Sequence, residues 1–275
     1  MKINLRKKWC DYLSARNMSS TNLLRDKIHL NAEGCDLYAR FIGEELIRRP
    51  ELGDNPSSAG TITTVALDAP DVTRNRSGQL TLTFNGNRVA AVSDGTGDEN
   101  SNVRVLLDGQ PMDEMTALWK NTRSSLGPAG IWMPAINHIS FEKAPVKEEW
   151  TLTCLPDSTP DGKRIHFKVQ GTVTGEDGEG WSTERFVSRS GRVAIEPSDW
   201  QIEWILQYKK AALPAGFQVK WNSYPLFTST YHPTSPETRT VLVQGCTNGP
   251  HTLTLESDEG DPGIKAFIVN APAVE

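Results

Sequence analysis

Leu80-Thr81-Leu82-Thr83-Phe84-Asn85-Gly86-Asn87-Arg88-Val89-Ala90-Ala91-Val92 alternates apolar and polar side chains through most of its length, the period of a half-buried β-strand. Asn85-Gly86 suits a tight turn, so the stretch reads as two strands, 80–84 and 88–92, joined by a hairpin. Working outward, the same period returns at 103–107, 150–153, 165–169, 192–195, 217–221, 240–243, 251–255 and 266–269. Asp108-Gly109, Asp161-Gly162 and Asn248-Gly249 sit beside these runs as further tight-turn dipeptides. Many short strands with turn signals between them predict a mainly-β chain of sandwich type. One helix is expected within this region, over residues 196–212, capped by Ser198 or Asp199.

The first fifty residues read differently. Leu5, Trp9, Tyr12 and Leu13 fall on one face at helical spacing, as do Tyr38, Phe41, Ile42 and Leu46. Two amphipathic helices follow, with Asn31 placed to cap the second and Arg48-Arg49-Pro50 to end it. Gly53-Asp54-Asn55-Pro56-Ser57-Ser58-Ala59-Gly60 is a linker by composition. The division expected is therefore helices over 1–52, linker over 53–60 and β region over 61–275.

The chain has 275 residues and a formal charge of −5, but the charge is uneven. Residues 1–50 hold ten Lys and Arg against six Asp and Glu, which leaves the other 225 residues nine charges negative. Bulk charge of that sign gives no support to nucleic-acid binding, which needs clustered cations. No apolar run reaches the roughly 18 residues of a membrane-spanning helix. The N-terminus lacks the apolar segment of a secretory signal, and the compartment stays undecided. Cys10, Cys35, Cys154 and Cys246 lack disulfide-scaffold or zinc spacing and read as small buried hydrophobes.

Chemistry is most legible at Asp26-Lys27-Ile28-His29-Leu30-Asn31-Ala32-Glu33-Gly34. An Asp three residues before a His lets the carboxylate accept from one ring nitrogen and leaves the other as a base. His138, His166, His232 and His251 show no metal-ligand spacing, and strand positions account for His166 and His251. The acidic stretches 94–100 and 176–179 read as solvated turns, without the spacing of a calcium loop. No metal or cofactor is expected. Trp119, Trp132, Trp181, Trp200, Trp204 and Trp221 could each stack on a sugar ring or fill a core. Trp132, held in Pro128-Ala129-Gly130-Ile131-Trp132-Met133-Pro134, is the best exposed candidate, and Trp181 follows it.

The pattern from Asp26 to Ile42, D-x-I-H-L-N-x-x-G-x-x-x-x-A-x-x-I, resembles the last block of the SGNH (GDSL) hydrolase superfamily, over about residues 1–48. The resemblance implies that the helices close an α/β/α domain, and that Asp26 and His29 are the acid and base of a Ser-His-Asp triad. No Gly-Asp-Ser nucleophile block and no parallel sheet occur here, so the chain is expected to be the C-terminal part of a longer esterase and inactive alone. The stretches 84–90, 102–111 and 249–255 look like strands of galactose-binding-like jelly rolls. That likeness implies a jelly roll over 61–112 and 236–275, with an inserted β unit at 113–235. Together the two resemblances imply a carbohydrate acetyl esterase acting on an acetylated polysaccharide or oligosaccharide, in a secreted or periplasmic setting. The other expectation is a non-catalytic carbohydrate-binding protein with a vestigial helical arm.

Overall fold

The structure is a computed structural model that describes residues 4–26, 28–45, 60–75, 78–95, 102–233, 238–257 and 262–272. The chain divides into two compact units, Met1–Ala59 and Gly60–Glu275. The expected helix end at 48–50, the linker up to residue 59 and most of the acidic stretch 94–100 lie outside the described residues.

In the first unit, helix α1 spans Leu5–Ala15 and helix α2 spans Ala32–Glu45. Asn4 caps α1 by accepting the Lys7 N–H at 3.0 Å. Leu23, Leu37 and Phe41 are buried, and Leu5, Trp9, Tyr12 and Leu13 pack against them along the face their spacing indicates. Cys10 and Cys35 are exposed, so the expectation of four buried cysteines holds only for Cys154 and Cys246. Both exposed thiols lie on the outward sides of amphipathic helices whose inward sides larger residues fill.

The second unit is mainly β and sandwich-like. Its strands in chain order are β1 (Thr61–Ala66), β2 (Val72–Arg74), β3 (Leu80–Ser93), β4 (Val103–Leu107), β5 (Gln110–Pro111), β6 (Trp119–Asn121), β7 (Glu148–Cys154) and β8 (His166–Gly171). They continue with β9 (Gly175–Trp181), β10 (Phe186–Val187), β11 (Ala194–Ile195), β12 (Gln218–Pro225), β13 (Thr230–Tyr231), β14 (Arg239–Ser257) and β15 (Ile264–Ala271). Helix α3 spans Ile202–Lys209.

An eight-stranded antiparallel sheet runs β1-β15-β3-β14-β4-β13, with β2 on β3 and β5 on β4. β3 and β14 are long, at 14 and 19 residues, and each is shared between two parts of the sheet. Arg239–Gln244 of β14 pairs with the end of β3 beside β15, whereas Gly249–Leu255 pairs with its start beside β4. Both parts feed one core, which includes Leu80, Leu82 and Phe84 from the first half of β3 and Val89 and Ala91 from the second.

Two expected hairpin turns are therefore bends within continuous strands. Gly86 lies opposite Gly249, and a Cβ at Gly86 would collide with the Asn270 carbonyl. Gly86 allows a close approach where β3 bends, whereas a Cβ at Gly249 would meet nothing, and neither dipeptide reverses the chain. Asp108-Gly109 does reverse it: both have positive φ, at 52° and 74°, between β4 and β5.

Between β5 and β13 the chain builds a separate five-stranded antiparallel sheet, β6-β12-β7-β8-β9, with its own core around Trp150, Phe167 and Trp221. Trp150 and Trp221 stack at 6.2 Å, and Trp150 Nε1 donates to Ser223 Oγ at 3.0 Å. β13 already belongs to the larger sheet, so the return comes at residue 230, within the stretch expected as insertion. The acidic stretch 176–179 is part of strand β9, not a solvated turn. Asp177 is buried there, accepting from the backbone N–H and the hydroxyl of Ser190. Helix α3 is shorter than expected, and Gln201 precedes it with no side-chain cap from Ser198 or Asp199.

Candidate functional site

Asp26 and His29 occupy a tight loop whose base is closed by an antiparallel bridge between Leu24 and Leu30. Arg25 N–H donates to the His29 carbonyl at 2.9 Å, and Asn31 N–H to the Leu23 carbonyl at 3.0 Å. Asn31 then ties the loop to the helix. Its Nδ2 donates to the Asn22 carbonyl and its Oδ1 accepts the Gly34 N–H, each at 2.8 Å, which caps α2 as its position in sequence indicates. Gly34 is required by packing, since a Cβ there would meet the Leu23 carbonyl.

Within the loop, Asp26 uses both oxygens. Oδ1 accepts the backbone N–H groups of His29 at 2.7 Å and Ile28 at 2.8 Å, and Oδ2 lies 2.7 Å from His29 Nδ1. The His29 N–H first, then that of Ile28 and the His29 ring, hold the Asp26 carboxyl well below the usual carboxylate range. An ionised carboxylate can only accept, so Nδ1 carries the proton it receives and neutral His29 presents a bare Nε2. No described residue hydrogen-bonds that Nε2, and the ring is 62% exposed. The arrangement is an oriented base looking outward.

Two other Asp–His pairs sharpen the comparison. His251 Nδ1 lies 2.8 Å from Asp108, but its Nε2 is also engaged, by the Thr247 carbonyl at 2.9 Å, and the side chain is only 10% exposed. His166 sits on Asp157 at 2.8 Å with its ring stacked 4.3 Å from that of Trp181. Those pairs fasten strands together. His29 differs from His251 in leaving Nε2 without a hydrogen bond, and from His166, whose side chain is 19% exposed, in its greater exposure.

Searches against protein-family models, characterised proteins and solved structures return no match.

Of the two tryptophans singled out for stacking, Trp132 is 73% exposed. Its loop is fixed by Arg123 Nη2 donating to the Trp132 carbonyl at 2.8 Å and by a bridge between Leu126 and Pro134. Trp181 is placed differently from the expectation. His166 stacks on it and the Arg164 guanidinium lies 3.7 Å from its ring centre, so the protein itself takes its stacking surface. Neither contact is visible in sequence, because His166 and Trp181 meet only through the register of β8 and β9. Trp204 and Tyr208 are exposed on α3, and their spacing of four on a helix was the available signal. Among the described residues, no group of three or more His, Cys, Asp or Glu could hold a metal, and no helix is long and apolar enough to cross a membrane.

Proposed function

We propose that Asp26 and His29 form the base half of a serine-dependent acyl-transfer site, acting on acetyl esters of a polysaccharide or oligosaccharide. The observation that carries the reading is the division of labour at Asp26: one oxygen is fixed by two backbone N–H groups, while the other orients His29 with Nε2 outward. The resemblance of residues 26–42 to the SGNH block supports the same roles.

In this chemistry His29 Nε2 takes the proton of a serine hydroxyl as its oxygen bonds to the ester carbonyl carbon. The imidazolium, stabilised by Asp26, returns the proton to the leaving sugar hydroxyl as the ester C–O bond breaks. Water then repeats the sequence on the acyl-enzyme and releases acetate. The serine and the oxyanion donors have no assigned residue within these 275, so this reading draws them from polypeptide outside them.

The test is acetyl release from acetylated xylan by the chain joined to whatever in-frame upstream sequence encodes a Gly-Asp-Ser block. His29→Ala is expected to lower kcat/KM by about 10⁴-fold. Full turnover by that variant, or turnover by the 275-residue chain alone at the rate of the joined form, would refute the assignment. A stop codon directly upstream would favour the second reading, a non-catalytic glycan-binding protein, which the outward-held Trp132 supports.

A further inference from the structure

Four exposed apolar side chains of the second unit come from two abutting segments. Leu126 and Trp132 belong to the loop after β6, and Trp204 and Tyr208 to α3. The segments touch at Gly127, where a Cβ would collide with the Ile205 side chain. With about 100° between successive helical residues, Ile205, Tyr208 and Trp204 follow one another around one flank of α3. Glu203 and Gln207 take the other flank, beside the Gly162 turn. The aromatic flank is therefore the one that adjoins the Trp132 loop. Trp204 and Tyr208 stack on each other, with planes 7° apart and centres 5.2 Å apart, and Lys209 Nζ lies 5.9 Å from the Tyr208 ring centre, so the outer side of the Trp204 indole is the flat face this pair offers. In the Trp132 loop, Ala129 is held at φ 65°, a left-handed conformation that non-glycine residues seldom adopt.

The same loop borders a slot of about 280 Å³ between residues 119–123 and 137–141. Lys120, Arg123 and His138 line it, no carboxylate does, and none of the three forms an ion pair among the described residues. Arg123 joins the two features, because it lines the slot and holds the Trp132 carbonyl. A carboxylate-free cationic slot is unexpected in a region nine charges negative.

We infer that this part of the second unit binds a uronic-acid-bearing polysaccharide, with sugar rings packed on Trp132 and on the outer side of the Trp204–Tyr208 stack, a uronate carboxylate at the cations Lys120 and Arg123, and His138 as a hydrogen-bond partner beside them. Flat aromatic faces suit the C–H faces of sugar rings, and the cations supply complementary charge. The inference rests on the carbohydrate part of the proposed function and is independent of its acyl chemistry. It also supplies a reason for the substrate class: an esterase carried to acidic, acetylated glycan would meet its ester groups there.

The experiment is affinity gel electrophoresis of the full chain in gels containing glucuronoxylan, polygalacturonate or neutral arabinoxylan. At least one uronate polymer is expected to retard the chain with an affinity more than tenfold above arabinoxylan, and 0.5 M NaCl should weaken it. Trp204→Ala with Tyr208→Ala should lower that affinity more than tenfold at an unchanged circular dichroism spectrum. Lys120→Gln with His138→Gln, which leaves Arg123 on the Trp132 carbonyl, should reduce it to the arabinoxylan level. Absence of retardation by both uronate polymers, or retardation unchanged in both variants, overturns the inference. So does a wild-type dimer in sedimentation velocity that the aromatic variant dissolves, since the patch would then serve a second copy. Uronate binding alongside a failed acetyl-release test would sink the acyl-transfer reading and leave this one standing.

Discussion

Gly34 shows how little freedom the Asp26–His29 loop has. Its N–H closes the Asn31 cap and its missing Cβ leaves room for the Leu23 carbonyl, so helix start and loop base share one position. Gly34→Ala is expected to destabilise the first unit by about 1–3 kcal/mol, because backbone must move on one side or the other. Urea unfolding followed at 222 nm measures this, and an unchanged midpoint would mean that the loop is not closed as described. The contact between Asp26 and His29 was legible in sequence because it is local: His29 lies three positions after Asp26, and every hydrogen bond that orients the ring arises within residues 26–29. Trp181 was not, because its covering partners reach it across a strand register and a neighbouring loop.

Glu148 illustrates how a strand end organises its neighbours. Its carboxylate is buried at the start of β7 and accepts the N–H groups of Val173 and Thr174, both at 2.9 Å, and the Thr174 hydroxyl at 2.6 Å. It thereby caps the turn between β8 and β9, and Gly171 leaves space for it. Glu148→Ala would leave buried donors unmatched, and a loss of about 2–4 kcal/mol is expected. The measurement is thermal or urea unfolding of the second unit; a loss below about 0.5 kcal/mol would show that water replaces the carboxylate fully. Alternation found most strands, but it could not tell a hairpin from a bend. Asn85-Gly86 and Asn248-Gly249 carry ordinary turn chemistry, and only their cross-strand pairing keeps β3 and β14 continuous. Strand β9 is hard to recognise in sequence because Gly175, Gly178 and Gly180 break its apolar pattern, and Gly180 faces Phe186 at a distance that excludes a Cβ.

At the scale of the molecule, the two units differ in how much they bury. Among the described residues the first buries three apolar side chains in its core, against two extensive cores in the second. Opening free energy follows burial, so amides of α1 and α2 should exchange with solvent at least 100-fold faster than those at the centres of β3 and β14. Hydrogen exchange with mass spectrometry reads this directly, and equal protection would mean that the helices are stabilised by contacts beyond their own core. The composition break near residue 60 made the division visible in sequence, since the apolar period changes there from helical to strand. The cationic slot was not visible, because Lys120 and His138 become neighbours only when segments 119–123 and 137–141 align.

The central claim is that Asp26 holds His29 with Nε2 unprotonated and open. Long-range ¹H–¹⁵N correlation spectra of the His29 ring at pH 8.5 test it most directly, in the parent chain and in Asp26→Asn. The parent is expected to show a protonated Nδ1 and a bare Nε2. Asp26→Asn can turn an amide donor toward Nδ1 and so should shift the proton to Nε2. A parent ring already protonated at Nε2, or a tautomer indifferent to Asp26→Asn, would contradict the assignment of His29 as the base.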